Sequence, residues 1–181
     1  MKKKILALAV LIAVVIAVTC GYIKINNRFP AAIIEKAAVG DTLEFTEGVL
    51  ISVDKSKFLS DDEKDKIYRE METSPFSELK IMEVTVILEN QSNEKKSFSM
   101  TDMYIDSTGF SNGISKRIID TAPDYYGALS QELQPGERKQ IVLPYEILAS
   151  QFFEKEWKDI ENREFGLTFS AYPVQKTLEL E

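Results

Sequence analysis

Residues Leu79–Glu89 read LKIMEVTVILE. Met82, Val84, Val86 and Leu88 alternate with Ile81, Glu83, Thr85 and Ile87, the period of two that sends successive side chains to opposite faces of a sheet. This is the strongest strand of the chain, and it sets the class. Upstream, Val49–Val53 (VLISV) is a β-branched run with polar flanks, which Lys55–Leu59 extends. Before it, Thr42–Phe45 alternates briefly and meets turn-prone Thr46-Glu47-Gly48. Downstream, Asn90-Gln91-Ser92-Asn93-Glu94 is turn chemistry, and Lys95–Met100 begins a return strand.

The same texture continues to the end of the chain. Met103–Asp106 leads to a turn at Gly109, Phe110–Ile119 is weakly patterned, and Asp120–Gly127 reads as a loop. Leu129–Leu133, the turn Gln134-Pro135-Gly136-Glu137 and Lys139–Tyr145 form a hairpin or a pair crossing between sheets. Ile147–Ile160 carries Phe152, Phe153, Trp157 and Ile160, expected to cover one end of the core. Phe165–Tyr172 and Lys176–Leu180 close the domain around Pro173. Ser60–Thr73 is the exception. Ser60 with Glu63 has capping-box spacing, Asp61, Asp62 and Glu63 suit the first turn, and Ile67 and Met71 make a narrow apolar stripe beside Tyr68. This reads as a short surface helix ending before Pro75. Short strands between turn signals predict an all-β fold, an immunoglobulin-like antiparallel β-sandwich with a short helical insertion; a barrel is the alternative.

Ahead of this domain, Lys2, Lys3 and Lys4 precede Ile5–Ile23 (ILALAVLIAVVIAVTCGYI), which carries no charge. At 1.5 Å per residue, about nineteen residues suffice for a hydrocarbon core about 30 Å thick. The segment therefore reads as one N-terminal transmembrane or signal helix. Lysines before it put the N-terminus in the cytoplasm and the domain outside. Three fates stay open: an uncleaved anchor, a lipoprotein acylated at Cys20, and release. Ala17-Val18-Thr19 approximates a cleavage signal, but Thr19 is a poor residue at its last position. The expected division is 1–23 as anchor or signal, 24–39 as a juxtamembrane tether, and 40–181 as the extracytoplasmic domain. Within the tether, Asn26 and Asn27 should end the helix, Pro30 holds Phe29 extended, and Ala31–Ala38 forms a short helix or an extended arm.

Composition excludes much chemistry. There is no histidine and one cysteine, so a histidine-based catalytic triad, the usual zinc ligand sets and an intramolecular disulfide are all ruled out. Every acidic residue follows the apolar stretch while three lysines precede it, so the outer part is more acidic than the whole chain at −7. That balance excludes nucleic acid as a partner. No phosphate-binding glycine pattern occurs, and Asp102-x-x-x-Asp106-x-x-Gly109 lacks the spacing of a calcium loop. Asp61, Asp62, Glu63, Glu44, Glu47, Asp102 and Asp106 read as solvated surface. No catalytic residue, cofactor or metal site is expected. Cys20 is the candidate lipid-attachment residue. Tyr125 and Tyr126, between Pro123 and Gly127, form the candidate binding loop, since exposed tyrosines supply rigid contact area with a polar end.

Val39-Gly40-Asp41-Thr42, Glu83-Val84-Thr85-Val86 leading to Asn90-Gln91-Ser92, Leu133-Gln134-Pro135-Gly136-Glu137 and Phe165-Gly166-Leu167-Thr168-Phe169 follow one another in a telling order. Over residues 39–180 the chain resembles the membrane- or lipid-anchored domains of unknown function, telokin-like or immunoglobulin-like in fold, that Gram-positive bacteria export. The resemblance implies a fold and a location, and it supplies no catalytic residues. The functional expectation is a non-catalytic module of the bacterial cell envelope. Its partners would be the plasma membrane, through the N-terminal helix, and an envelope protein or membrane complex. A structural spacer without ligand and a carboxylate-based cell-wall glycan hydrolase are the alternatives.

Overall fold

A computed structural model describes residues 2–75 and 77–180. The chain divides into two compact units, Met1–Ile33 and Ile34–Glu181. The first holds helix α1, Lys2–Arg28. Its stretch Val10–Arg28 is 19 residues long, has a mean hydropathy of 1.7 and buries 0% of its window. Among the described residues this is the one helix apolar and long enough to cross a membrane, and it fits a signal or a membrane span equally. The helix runs through Asn26 and Asn27 rather than stopping there. Asparagine costs a helix only a fraction of a kcal/mol, and the stop comes where Phe29 meets Pro30.

The strands follow in order: β1 Ile33–Ala37, β2 Leu43–Thr46, β3 Val49–Phe58, β4 Leu79–Asn90, β5 Lys96–Ser99, β6 Tyr104–Ser107, β7 Phe110–Gly113, β8 Ser130–Leu133, β9 Arg138–Leu148, β10 Phe165–Ser170 and β11 Val174–Leu180. They make a five-stranded sheet in the order β1-β11-β10-β6-β7, a four-stranded sheet β2-β3-β4-β9, and a pair β5-β8. The expected tether therefore includes a sheet strand: of the two forms open to Ala31–Ala38, the extended one is adopted and pairs with β11. The expected return strand does not return to β4. Lys96–Ser99 pairs with β8 instead, and β8 and β9 are a crossing pair, not a hairpin.

The two larger sheets face each other across one core, so the fold is a β-sandwich. Val49, Ile51, Val84, Val86, Leu88 and Leu143 from one sheet pack with Ile105, Phe165, Leu167 and Leu178 from the other. Burial of such side chains, about 1.5–3 kcal/mol each, is the main stabilising term. Phe45 joins β5 to the sandwich edge, its ring 5.3 Å from Phe98 and 5.5 Å from Phe169. Gly48 turns β2 into β3 at φ 75, a conformation that a side chain resists. The β4–β9 ladder runs unbroken from Leu79↔Leu148 to Glu89↔Arg138. On the outer edge of β9 Pro144 has no N–H to offer; its carbonyl accepts the Ser115 N–H at 2.8 Å, and the Glu146 carbonyl accepts the Asn112 side-chain amide.

Helices cover the other face of the four-stranded sheet. These are α2 Asp61–Glu70, α3 Lys116–Thr121 and α4 Pro123–Tyr126. A second cluster of Leu59, Tyr68, Leu79, Ile81, Ile118, Ile119 and Tyr126 seals them to β4. α2 starts as its sequence requires: Ser60 Oγ accepts the Glu63 N–H at 3.3 Å, and the Glu63 carboxylate accepts the Ser60 N–H at 2.8 Å. The stretch read as the loop Asp120–Gly127 contains the end of α3 and all of α4. Pro123 at the first helical position, where a missing N–H costs nothing, makes the short turn feasible.

One end of the core is closed by the turns Ala149–Gln151 and Ile160–Asn162, with α5, Glu154–Trp157, between them. Phe152 and Trp157 pack on the core and Ile160 is buried, as expected. Phe153 differs. It is 81% exposed, because its backbone precedes the first turn of α5 while its neighbour Phe152 takes the inward position against Phe110, at 4.9 Å between rings.

Candidate functional site

The polar chemistry of the domain gathers on the helix-covered face of the four-stranded sheet. Alternation places Glu83 there, next to Ile81 and Thr85, while Met82 and Val84 enter the main core. Glu83 is 4% exposed. Its carboxylate accepts the Tyr126 hydroxyl at 2.8 Å and the Tyr125 hydroxyl at 3.2 Å, and Lys57 Nζ lies 3.5 Å away. α4 presents the two tyrosines as an edge-to-face pair, ring centroids 4.8 Å apart. Burial, then the hydrogen bond to Glu83, pushes the Tyr126 hydroxyl well above the usual tyrosine value. Lys57 also bonds Glu63 at 3.1 Å, which raises its ammonium. Glu63 is pulled down to about 2, first by the Ser60 N–H and then by Lys57.

A second carboxylate sits on the same face. Register pairs Ile81 with Glu146 and Glu83 with Pro144, so Glu83 and Glu146 are diagonal neighbours across β4 and β9. Glu146 accepts Ser115 Oγ at 2.8 Å, Arg117 Nε at 2.9 Å and the Tyr68 hydroxyl, and Arg117 donates a further bond to Tyr68 at 2.7 Å. Burial works against the charged form of Glu146, but the bonds from Arg117, Tyr68 and Ser115 outweigh it and hold the carboxyl below its ordinary value. The network ties α2, α3 and β9 together. Charge-assisted bonds of this kind are the stronger ones.

Glu83 and Glu146 thus belong to two separate networks, each with its own cation and hydroxyls. Paired-carboxylate hydrolysis needs two carboxyls converging on an open cleft; here each is already occupied by side chains of its own fold. Among the described residues no group of three or more histidine, cysteine, aspartate or glutamate side chains is placed to hold a metal. A hollow of about 80 Å³ opens between Phe58, Met82, Phe165 and Leu180, with Lys57 and Arg163 at its rim. Arg163 is committed to Ser107 Oγ at 2.8 Å and lies over the Phe152 ring.

The sequence-predicted residues fall out as follows. Tyr125 is 58% exposed and Tyr126 is 3% exposed, so the pair is one surface ring standing on one anchored ring and not an exposed couple. Cys20 is exposed on α1, inside the apolar span. Asp61 and Glu63 are exposed, while Asp106 is half-buried and accepts Thr168 Oγ1 at 2.8 Å. Glu83 and Glu146 were not singled out from the sequence. The signal was present for Glu83, a lone acid in the middle of the most apolar strand.

A protein-family model matches residues 31–176. The chain belongs to the DUF5028 family. That family is described as a domain of unknown function, and the match takes in every strand except the last residues of β11. No curated protein matches this DUF5028 chain. Among solved structures, the yjhA protein of Bacillus subtilis shares 12% identity at a TM-score of 0.50, covering 80% of this chain and 99% of that one. An uncharacterised β-sandwich protein of Clostridium difficile shares 8% identity at a TM-score of 0.45, covering 83% and 96%. A secreted protein of Mycobacterium tuberculosis shares 9% identity at a TM-score of 0.47, covering 83% and 99%. The resemblance read from the strand and turn motifs is met at this level: an uncharacterised β-sandwich domain.

Proposed function

We propose that this DUF5028 protein is a non-catalytic interaction module of the cell envelope, held by α1 with its β-sandwich outside the plasma membrane. The observation that carries the reading is the state of its withdrawn acids. Glu83 and Glu146, the carboxylates best placed for chemistry, are each satisfied within the fold, Glu83 by Tyr125, Tyr126 and Lys57 and Glu146 by Ser115, Tyr68 and Arg117. Groups spent in this way hold a surface in shape. What they hold outward is Tyr125, a half-exposed ring on a short helix buttressed by Tyr126, the kind of rigid amphipathic side chain that contacts proteins well. The apolar span of α1, with three lysines ahead of it, supports the location.

The test uses the full-length protein in intact cells. A photo-crosslinking residue at Tyr125 should give a discrete adduct, and the same residue at Asn93, in an exposed turn, should not. Equal labelling at both positions, or none at either, removes the interaction reading and leaves the spacer. Protease added to unbroken cells should degrade the sandwich; a domain protected in whole cells and cut after lysis refutes the outer location. A cell-wall glycan hydrolase would be revealed by activity that E83Q and E146Q abolish without unfolding the domain.

A further inference from the structure

Outside the apolar span, Phe29, Ile33 and Ile34 are 60%, 65% and 62% exposed, three large apolar side chains within six positions of one another. Ile33 and Ile34 are consecutive in β1, so they project to opposite faces of the sheet, and β1 is exposed at its first four positions and buried only at Ala37. β1 is also the outermost strand of its sheet. An edge strand showing apolar side chains on both faces is a liability in water, which proteins ordinarily blunt with charge or cover. Here the chain leading to it leaves α1 at Arg28. At about 3.5 Å per residue at most, Ile34 reaches no further than about 20 Å from the helix end.

We propose that Phe29–Ile34 lies in the headgroup layer of the bilayer, so that the start of β1 is a membrane-contact corner of the domain. The inference rests on the reading of α1 as an uncleaved span, and it adds a lipid surface as the partner of a strand edge. That layer accepts apolar and aromatic side chains at the boundary between tails and water. Arg28 and Lys36, on either side of the segment, suit lipid phosphates, their stems lying along apolar surface. The acidity of the rest of the domain keeps other surfaces off an anionic membrane, so contact is confined to this corner.

Cys20 is the sole cysteine, which makes site-directed spin labelling direct. The full chain carrying Cys20→Ser is reconstituted in vesicles of phosphatidylcholine and phosphatidylglycerol with single nitroxides at Phe29→Cys, Ile34→Cys, Ile16→Cys or Asn93→Cys. The ratio of oxygen to water-soluble nickel accessibility should be highest at position 16, lowest at 93, and several-fold above the latter at 29 and 34. If 16 reports lipid while 34 matches 93, the span stands and the interfacial corner is wrong. If 16 also matches 93, the span itself fails and takes the corner with it. Spin–spin broadening at 34 that disappears on dilution with unlabelled chain shows β1 paired with a second copy, and that too overturns the proposal.

Discussion

The two faces of the four-stranded sheet solve the same problem, removing side chains from water, by different means. The inner face is aliphatic and sealed, with Ile51, Val84, Val86 and Leu88 at 0% exposure. The outer face mixes Ile81 and Leu79 with Glu83 and Glu146 and spends hydroxyls and cations to keep them there. Tyrosines show the contrast best. Tyr68 and Tyr126, on the helix side, give their hydroxyls to carboxylates, whereas Tyr145 enters the main core and its hydroxyl finds no hydrogen-bond partner among the described residues. Packing alone holds the inner face; the outer one depends on chemistry that pH and single-atom changes can reach.

Four expected outcomes would sharpen or break this distinction. Leu88→Ala opens a cavity in the inner face and should cost about 3 kcal/mol in denaturant unfolding; a loss below about 1 kcal/mol would show that the core collapses around it. Tyr126→Phe should cost about 1–2 kcal/mol, because a withdrawn carboxylate loses a donor, while Tyr145→Phe should leave stability unchanged or raise it by up to about 1 kcal/mol. Equal losses for the two would erase the difference between the faces. Ser60→Ala, which removes the cap of α2, should cost about 1 kcal/mol, read by the same titration.

The pH profile follows from the directions of shift. Glu146 is depressed in the folded state, so its contribution is fully present above the unfolded carboxylate value and is lost as pH falls through its own lower value. Tyr68 and Tyr126 are raised, so theirs is fully present below the unfolded tyrosine value of 10.0 and is lost as pH climbs from there toward their own higher values. Thermal unfolding of Glu146→Gln should therefore show a shallower acid limb than the parent, the remainder coming from carboxylates such as Glu63 that are also held low; an acid limb of unchanged slope would dissociate the Arg117 network from stability.

Much of the fold was legible because it depends on period and turns. LKIMEVTVILE could form little else, the Ser60–Glu63 capping box is local, and the Gln134-Pro135-Gly136-Glu137 turn is explicit. Pairing partners were not legible: Lys96–Ser99 alternates whether it returns to β4 or leaves for β8, and only the tertiary fold decides. The helical ending of Asp120–Gly127 was hidden by Pro123 and Gly127, residues equally at home in a loop. The outer carboxylates were half legible. Glu83 stood out against its apolar strand, but its partners lie on α4 and β3, far away in sequence. Glu146 had no cue, since an acid near the end of a strand usually faces solvent.

Pro144 has a consequence beyond its own strand. The longest ladder of the domain ends at β9, where a regular row of donors and carbonyls would invite the strand of a neighbouring molecule to zip alongside. A missing N–H in mid-row, with the adjoining carbonyls claimed by Ser115 and Asn112, leaves such a strand nothing continuous to grip. In the folded domain that margin is a poor template for a second copy.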